Sequence, residues 1–203
     1  MEGNMFYWIS WMYWIFLTFI LDKQWPYRRR LSAFILVMII LSTSHFKVSG
    51  FDIYLSSIVL LMAAYFLISR EKRTSIFYIF ICSFIITISY VTFHLFEIFD
   101  PIWVIFKSDW MIAICITILS LLLQNKLKGR LLIAFSGTMQ GEILYAYILN
   151  KYSFPYVIGS FAYLDVCFLI SALLVGWSCL ENAGSYFGNH VGALSNMNKN
   201  HHK

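Results

Sequence analysis

Charge is scarce in this sequence. Asp, Glu, Lys and Arg make up 12% of its 203 residues, where a soluble domain carries about 25%. So few charges cannot cover the surface of the one or two soluble domains that the length alone would allow. Cysteine patterns are missing as well. Cys82, Cys115, Cys167 and Cys179 lie inside apolar runs or at their ends, and none forms a C-x-x-C pair. Disulfide scaffolds and zinc sites need thiols in polar loops at ligand spacing, so these four are expected to be buried free thiols acting as small hydrophobes. H-E-x-x-H, G-x-S-x-G and the P-loop are all absent, which leaves no nucleophile–base pair to name, and the chain is expected not to be an enzyme. Ahead of the first apolar run stands Glu2 and no basic residue. A secretory leader needs a positive start and a small-residue cleavage site, so the first run is expected to remain as a span.

What fills the space left by charge is hydrocarbon and aromatic surface: 60% of residues are apolar, including 19 Phe, 13 Tyr and 7 Trp. The apolar residues fall into runs at Met5–Leu21, Leu31–Phe46, Phe51–Ser69, Ser75–Phe99, Trp110–Gln124, Leu131–Leu149 and Phe154–Leu180. A helix needs about 20 such residues to cross the hydrocarbon core. The fold expected is therefore an all-α membrane bundle of about seven transmembrane helices over 1–180, with the lipid bilayer as its principal partner. The second and fifth runs are short and reach full length only if polar flanks snorkel to the headgroups. The segment 181–203 is rich in Gly, Asn, Ser and His without an apolar period, and is expected to be a disordered cytoplasmic tail. Its His190, His201 and His202 are read as solvated, so no metal and no cofactor is expected.

The basic residues set the orientation. With seven spans and the N-terminus outside, 12 Lys and Arg fall on one side and only Lys47, Lys107 and Lys151 on the other. Basic residues strongly prefer the cytoplasmic side, which gives N-out and C-in. The same clustering between runs explains the pI near 9.0 without nucleic acid, since no basic stripe forms on any one element.

Polar residues inside the runs are the informative ones, because an ionisable group at mid-membrane costs about 2.5–3.5 kcal/mol on insertion scales. In the fourth run Ser83, Thr87, Tyr90, His94 and Glu97 share one helical face. That face reads either as a hydrogen-bonded helix seam or as the wall of a polar cavity. Gly137 and Gly141 form G-x-x-x-G in the sixth run, a spacing that lets two helices approach closely. Beside them, Glu142 is expected roughly 12 Å from the outer end, and Asp165 of the seventh run roughly 15 Å from it. Ala162, Asp165, Leu169, Ala172 and Gly176 share a face whose small residues favour close packing. Asp165 and Glu142 are thus candidates for ion coupling, with Tyr90, His94 and Glu97 at the outer entrance. The bland alternative is a set of acids that merely bond neighbouring helices. Trp8, Trp11 and Trp14, three apart in the first run, read as packing plus an interfacial aromatic belt.

The opening Met1-Glu2-Gly3, followed by Phe6-Tyr7-Trp8 and Trp11 ahead of Trp14, resembles the start of the YphA-type membrane proteins of Bacillus and relatives. The resemblance implies a bacterial plasma-membrane protein and transfers no catalytic residue.

Two functional classes survive. One is a small ion-coupled carrier or proton-responsive channel using Asp165 and Glu142. The other is a non-transporting sensor or partner that packs against another membrane protein or a second copy of the chain. Topology is tested first. Single cysteines at Ser108 and Ser153 in a cysteine-free background are expected to react with an impermeant reagent on intact cells, and one at Ser75 is not. The reverse pattern would overturn the seven-span assignment.

Overall fold

The computed structural model describes residues 3–22, 24, 26–48, 51–100 and 107–200, with 48, 51 and 185–200 described in backbone only. Each apolar run produces one helix: α1 (Asn4–Ile15), which continues as a π-helical stretch Phe16–Ile20, α2 (Arg28–Leu41), α3 (Leu55–Ile68), α4 (Arg73–Phe99), α5 (Ser108–Leu123), α6 (Leu127–Lys151) and α7 (Phe161–Asn200).

The described residues are overwhelmingly helical, as expected, with one small addition. Strands β1 (His45–Val48) and β2 (Phe51–Tyr54) form an antiparallel pair, and β3 (Val157–Ile158) adds to β2 in parallel. The end of the second run and the start of the third therefore belong to a hairpin. The seventh run begins with extended chain, where Ser153 takes a φ of 62° and Pro155 cannot donate to a continuing helix. The hairpin leaves α3 with 14 residues, and the short fifth run gives α5 16, about 21 and 24 Å of helix against a core of about 30 Å. The helices long and apolar enough to cross a membrane unaided are α4 and the first 24 residues of α7, Phe161–Gly184.

Contacts sort the connections into two ends. At one end, the small sheet joins the α2–α3 link to the α6–α7 link, and the start of α1 bonds to the first turns of α7. At the other end, Arg28 donates to the carbonyls of Leu17 and Thr18, Lys128 pairs with Glu71, and Arg130 forks onto Glu181 at 2.8 and 3.1 Å. The basic clusters collect at this second end. Here the expected start of the tail needs correction: α7 runs past Leu180, because Glu181 is tied to Arg130 and to the Trp177 indole. The His190 side chain is not described, and His201 and His202 lie outside the described residues.

Helices α4 and α6 form the closest pair and run parallel. Ser83 meets Ser136 at 2.6 Å, the Thr87 hydroxyl donates to the Gly137 carbonyl at 3.0 Å, and Tyr90 meets Glu142 at 2.7 Å. Advancing along α4 thus means advancing along α6. The two glycines permit this. A Cβ at Gly137 would lie 2.7 Å from the Ile86 side chain, and one at Gly141 would lie 2.8 Å from the Tyr90 ring. Gly176 is different. It is exposed with nothing near a hypothetical Cβ, and Ala162 and Ala172 are only half-buried. Gly176 therefore makes no close contact with a neighbouring helix, while residues 163–171 are buried between α1, α5 and α6. Cys82 and Cys167 are buried free thiols, whereas Cys115 and Cys179 are exposed on the bundle exterior.

The outward surfaces are apolar. Phe77, Phe80, Phe84 and Ile88 of α4 and Trp8, Met12 and Phe19 near the start of the chain face away from the core, as lipid-facing residues must. Gly141→Leu is expected to cost about 1–3 kcal/mol, since it overpacks the α4–α6 contact. Trp8→Leu, at a position 73% exposed, should change stability by about 0.5 kcal/mol or less. Equal yields of folded protein in detergent for the two variants would remove the case for a tight seam.

Candidate functional site

Helix α1 begins at a glycine. Gly3 sits at its N-cap with a φ of 89° and brings no side-chain cap, and a Cβ there would lie 2.9 Å from Phe161. Orphan N–H groups at a helix start must find acceptors. In a capping box the N-cap side chain accepts from the third helical N–H, and the third side chain reaches back to the N-cap N–H. Neither Gly3 nor Phe6 can do this. Asp165 of α7 supplies both bonds instead: Gly3 N–H donates to Oδ2 at 2.7 Å and Phe6 N–H donates to Oδ1 at 2.6 Å. Its negative charge also faces the positive end of the α1 dipole. Asp165 is 5% exposed, with both oxygens engaged. Because α7 starts only at Phe161, Asp165 lies about 6 Å along the helix, shallower than the depth expected from the length of the run.

Glu142 is wholly buried. Its Oε2 accepts from the Tyr90 hydroxyl at 2.7 Å, and its Oε1 accepts from the Tyr156 hydroxyl at 2.9 Å and from Gly159 N–H at 3.2 Å. The α6–α7 connection therefore folds down along α6, and Gly159 allows it. Its φ is 70°, and a Cβ there would overlap the Ser57 side chain. The structure does not bring the two acids together. Asp165 serves α1, whereas Glu142 serves α4 and the α6–α7 connection.

His94 lies one turn beyond Tyr90, toward the C-terminal end of α4. Its Nδ1 is 3.2 Å from Glu97 Oε2. The imidazole stacks on Tyr145 at 5.1 Å and takes Tyr90 edge-on at 4.6 Å. Tyr145 in turn meets Tyr156 at 5.0 Å. Three tyrosines and a histidine thus enclose Glu142. The Nε2 of His94 is buried without a hydrogen-bond partner among the described residues. In the seam below, Thr138 bonds back to Ala134 and lies near the Tyr163 hydroxyl and the Cys167 thiol, at 3.4 and 3.6 Å.

Of the candidates read from sequence, Tyr90, His94, Glu97 and Glu142 come together, and Asp165 stands apart. Four contributors were not read from sequence. Tyr145 follows Glu142 by one helical turn, a spacing that marks a shared face. Tyr156, Gly159 and the backbone of Gly3 act from connections and a chain end, where no periodicity exists to expose them.

The sequence pattern of the YphA-like integral membrane proteins matches residues 2–203. The chain is 28% identical over 194 residues to the uncharacterized protein YphA of Bacillus subtilis (strain 168), covering 93% of each. No solved structure matches.

The two acids should differ in their tolerance of an amide. At position 142, Gln accepts from Tyr156 and Gly159 through its oxygen and donates to the Tyr90 oxygen, because a hydroxyl can reverse its role. At position 165 an amide must point its NH2 at one of two backbone N–H groups, which cannot reverse. Asp165→Asn is expected to cost about 1–3 kcal/mol and Glu142→Gln under about 1 kcal/mol. Thermal unfolding in detergent measures both, and equal losses would refute the capping role.

Proposed function

Since the chain belongs to the YphA-like integral membrane protein family, its helices work within a lipid bilayer, and we propose that it is a non-enzymatic, non-transporting membrane partner or sensor. It crosses the bacterial plasma membrane seven times, with N-out and C-in. The orientation is supported by the gathering of basic residues at the end that holds the α1–α2, α3–α4 and α5–α6 connections. The shorter helices complete their crossings with polar flanks and, on the outer side, with the β1–β2 hairpin.

One observation carries the non-transporting reading: every oxygen of the two buried acids is already occupied. A coupling acid must release its partners and accept an ion or a proton once per cycle. Asp165 holds two backbone N–H groups of α1, and Glu142 holds two hydroxyls and a third N–H. Releasing either carboxylate would leave buried donors unmet, at about 1–3 kcal/mol for each. Sequence reading offered these acids as ion-coupling groups, and the geometry favours a structural role. The proton-responsive alternative keeps one foothold, in the unpartnered Nε2 of His94 beside Glu97.

Proteoliposomes under an imposed pH or potassium gradient supply the test. Vesicles holding the purified protein should dissipate either gradient no faster than empty ones, and Glu142→Gln should restore any phenotype of a deletion strain. A gradient discharged by the native protein, with the discharge lost in a folded Glu142→Gln variant, would return the carrier.

A further inference from the structure

Glu97 sets the form of the His94 ring. A carboxylate can only accept, so the ring carries its proton on Nδ1, 3.2 Å away, and Nε2 of the neutral imidazole is a bare lone pair. That nitrogen is buried and meets no hydrogen-bond partner among the described residues. The ring is held in place by Tyr145, stacked at 5.1 Å, and by Tyr90, edge-on at 4.6 Å. This slot fits the neutral imidazole and offers no acceptor to a second N–H.

The charges around the slot favour the other form. Glu97 stands on α4, with Ser108 of α5 bonded to it. Asp109 of α5 interacts electrostatically with both His94 and Glu97, and Glu142 of α6 does so with His94. Lys107 is the cation beside this group and acts on Asp109. Tyr90, Tyr145 and Tyr156 complete the surroundings and bring no charge near pH 7. Carboxylates at this range stabilise an imidazolium, whereas a buried N–H without an acceptor destabilises it. The charged ring is thus favoured at this end of the bundle and disfavoured in its present slot. A move of the ring resolves the conflict.

That move would reach the surface. Tyr145 meets Tyr156 at 5.0 Å, Tyr156 donates to Glu142 at 2.9 Å, and Glu142 also accepts from Gly159 N–H. Between those two bonds lies β3, which pairs with β2 of the hairpin.

We propose that His94 is a proton switch at the outer face. Protonated at Nε2, the ring leaves its stack on Tyr145 to bring the new N–H to water or to a carboxylate, and Tyr156 and β3 loosen with it. Histidine is the side chain whose ordinary charge change falls between about pH 5 and 8, so the signal is acidification outside the cell. The proposal rests on the sensor reading and the N-out orientation given above, and it names the stimulus.

The test uses purified full-length protein in detergent, its four native cysteines replaced by alanine, with a nitroxide attached through Val157→Cys on β3, a position 38% exposed. Its resonance lines should narrow along a one-proton curve as the pH falls from about 8 to 5. His94→Gln keeps an amide donor for Glu97 but cannot take up a proton, so it should abolish the change. Glu97→Gln should move the midpoint to lower pH by about half a unit or more, and it carries the test alone if His94→Gln does not fold. His45 is exposed on β1 of the same sheet, and His45→Gln should leave the curve in place. A flat response in the native protein, a curve that survives in folded His94→Gln, or a midpoint unmoved by Glu97→Gln overturns the proposal. So does a curve lost only in Glu142→Gln, which assigns the proton to the acid. No gradient is imposed, so a flat curve leaves the non-transporting reading intact, and a gradient discharged by proteoliposomes would refute that reading without altering the curve.

Discussion

A polar group buried among these helices has no water to turn to, and the bundle is arranged around meeting that need. In hydrocarbon each unmet backbone or side-chain group costs several kcal/mol. The buried carboxylates show how the need is met. Glu142 draws its three donors from α4, from Tyr156 and from the backbone at Gly159, so one residue fixes a helix contact and the path of a connection. Asp165 does the same for the start of α1. Close approach at Gly137 and Gly141 then lets the hydroxyls of Ser83 and Thr87 reach across.

This arrangement separates two kinds of polar residue within one bundle. The two buried carboxylates have partners with fixed positions and little freedom to exchange them. Other buried polar atoms have no hydrogen-bond partner among the described residues, among them the Nε2 of His94 and the hydroxyls of Ser10, Ser56, Thr117 and Ser120.

How much of this is legible in the sequence follows from what periodicity reports. Helix positions were readable from apolar runs, and the shared face of Ser83, Thr87 and Tyr90 was readable from a spacing of four and three. The G-x-x-x-G pair was readable for the same reason. The hairpin was not, since Phe46 and Phe51 extend apolar runs whether they lie in a helix or in a strand. Nor was the depth of Asp165, because the length of an apolar run does not mark where its helix begins. The cap on α1 was hidden most completely. It joins an aspartate to a glycine and to the backbone of Phe6, so two of its three participants have no side chain in the interaction. The burial of Arg130 is equally hidden, because its partner Glu181 lies 51 residues further along the chain.

The bond between Asp165 and Gly3 spans 162 residues, and this bears on biogenesis. A ribosome working at about 5–20 residues per second takes roughly 10–30 s to reach Asp165 after Gly3 has been made. Through that interval the first helix exists without its cap, and five further helices are made after it. The last helix then completes the first one. A nascent chain that stalls before Phe161 therefore lacks the acceptor for both amides, which Asp165 covers only in the finished protein.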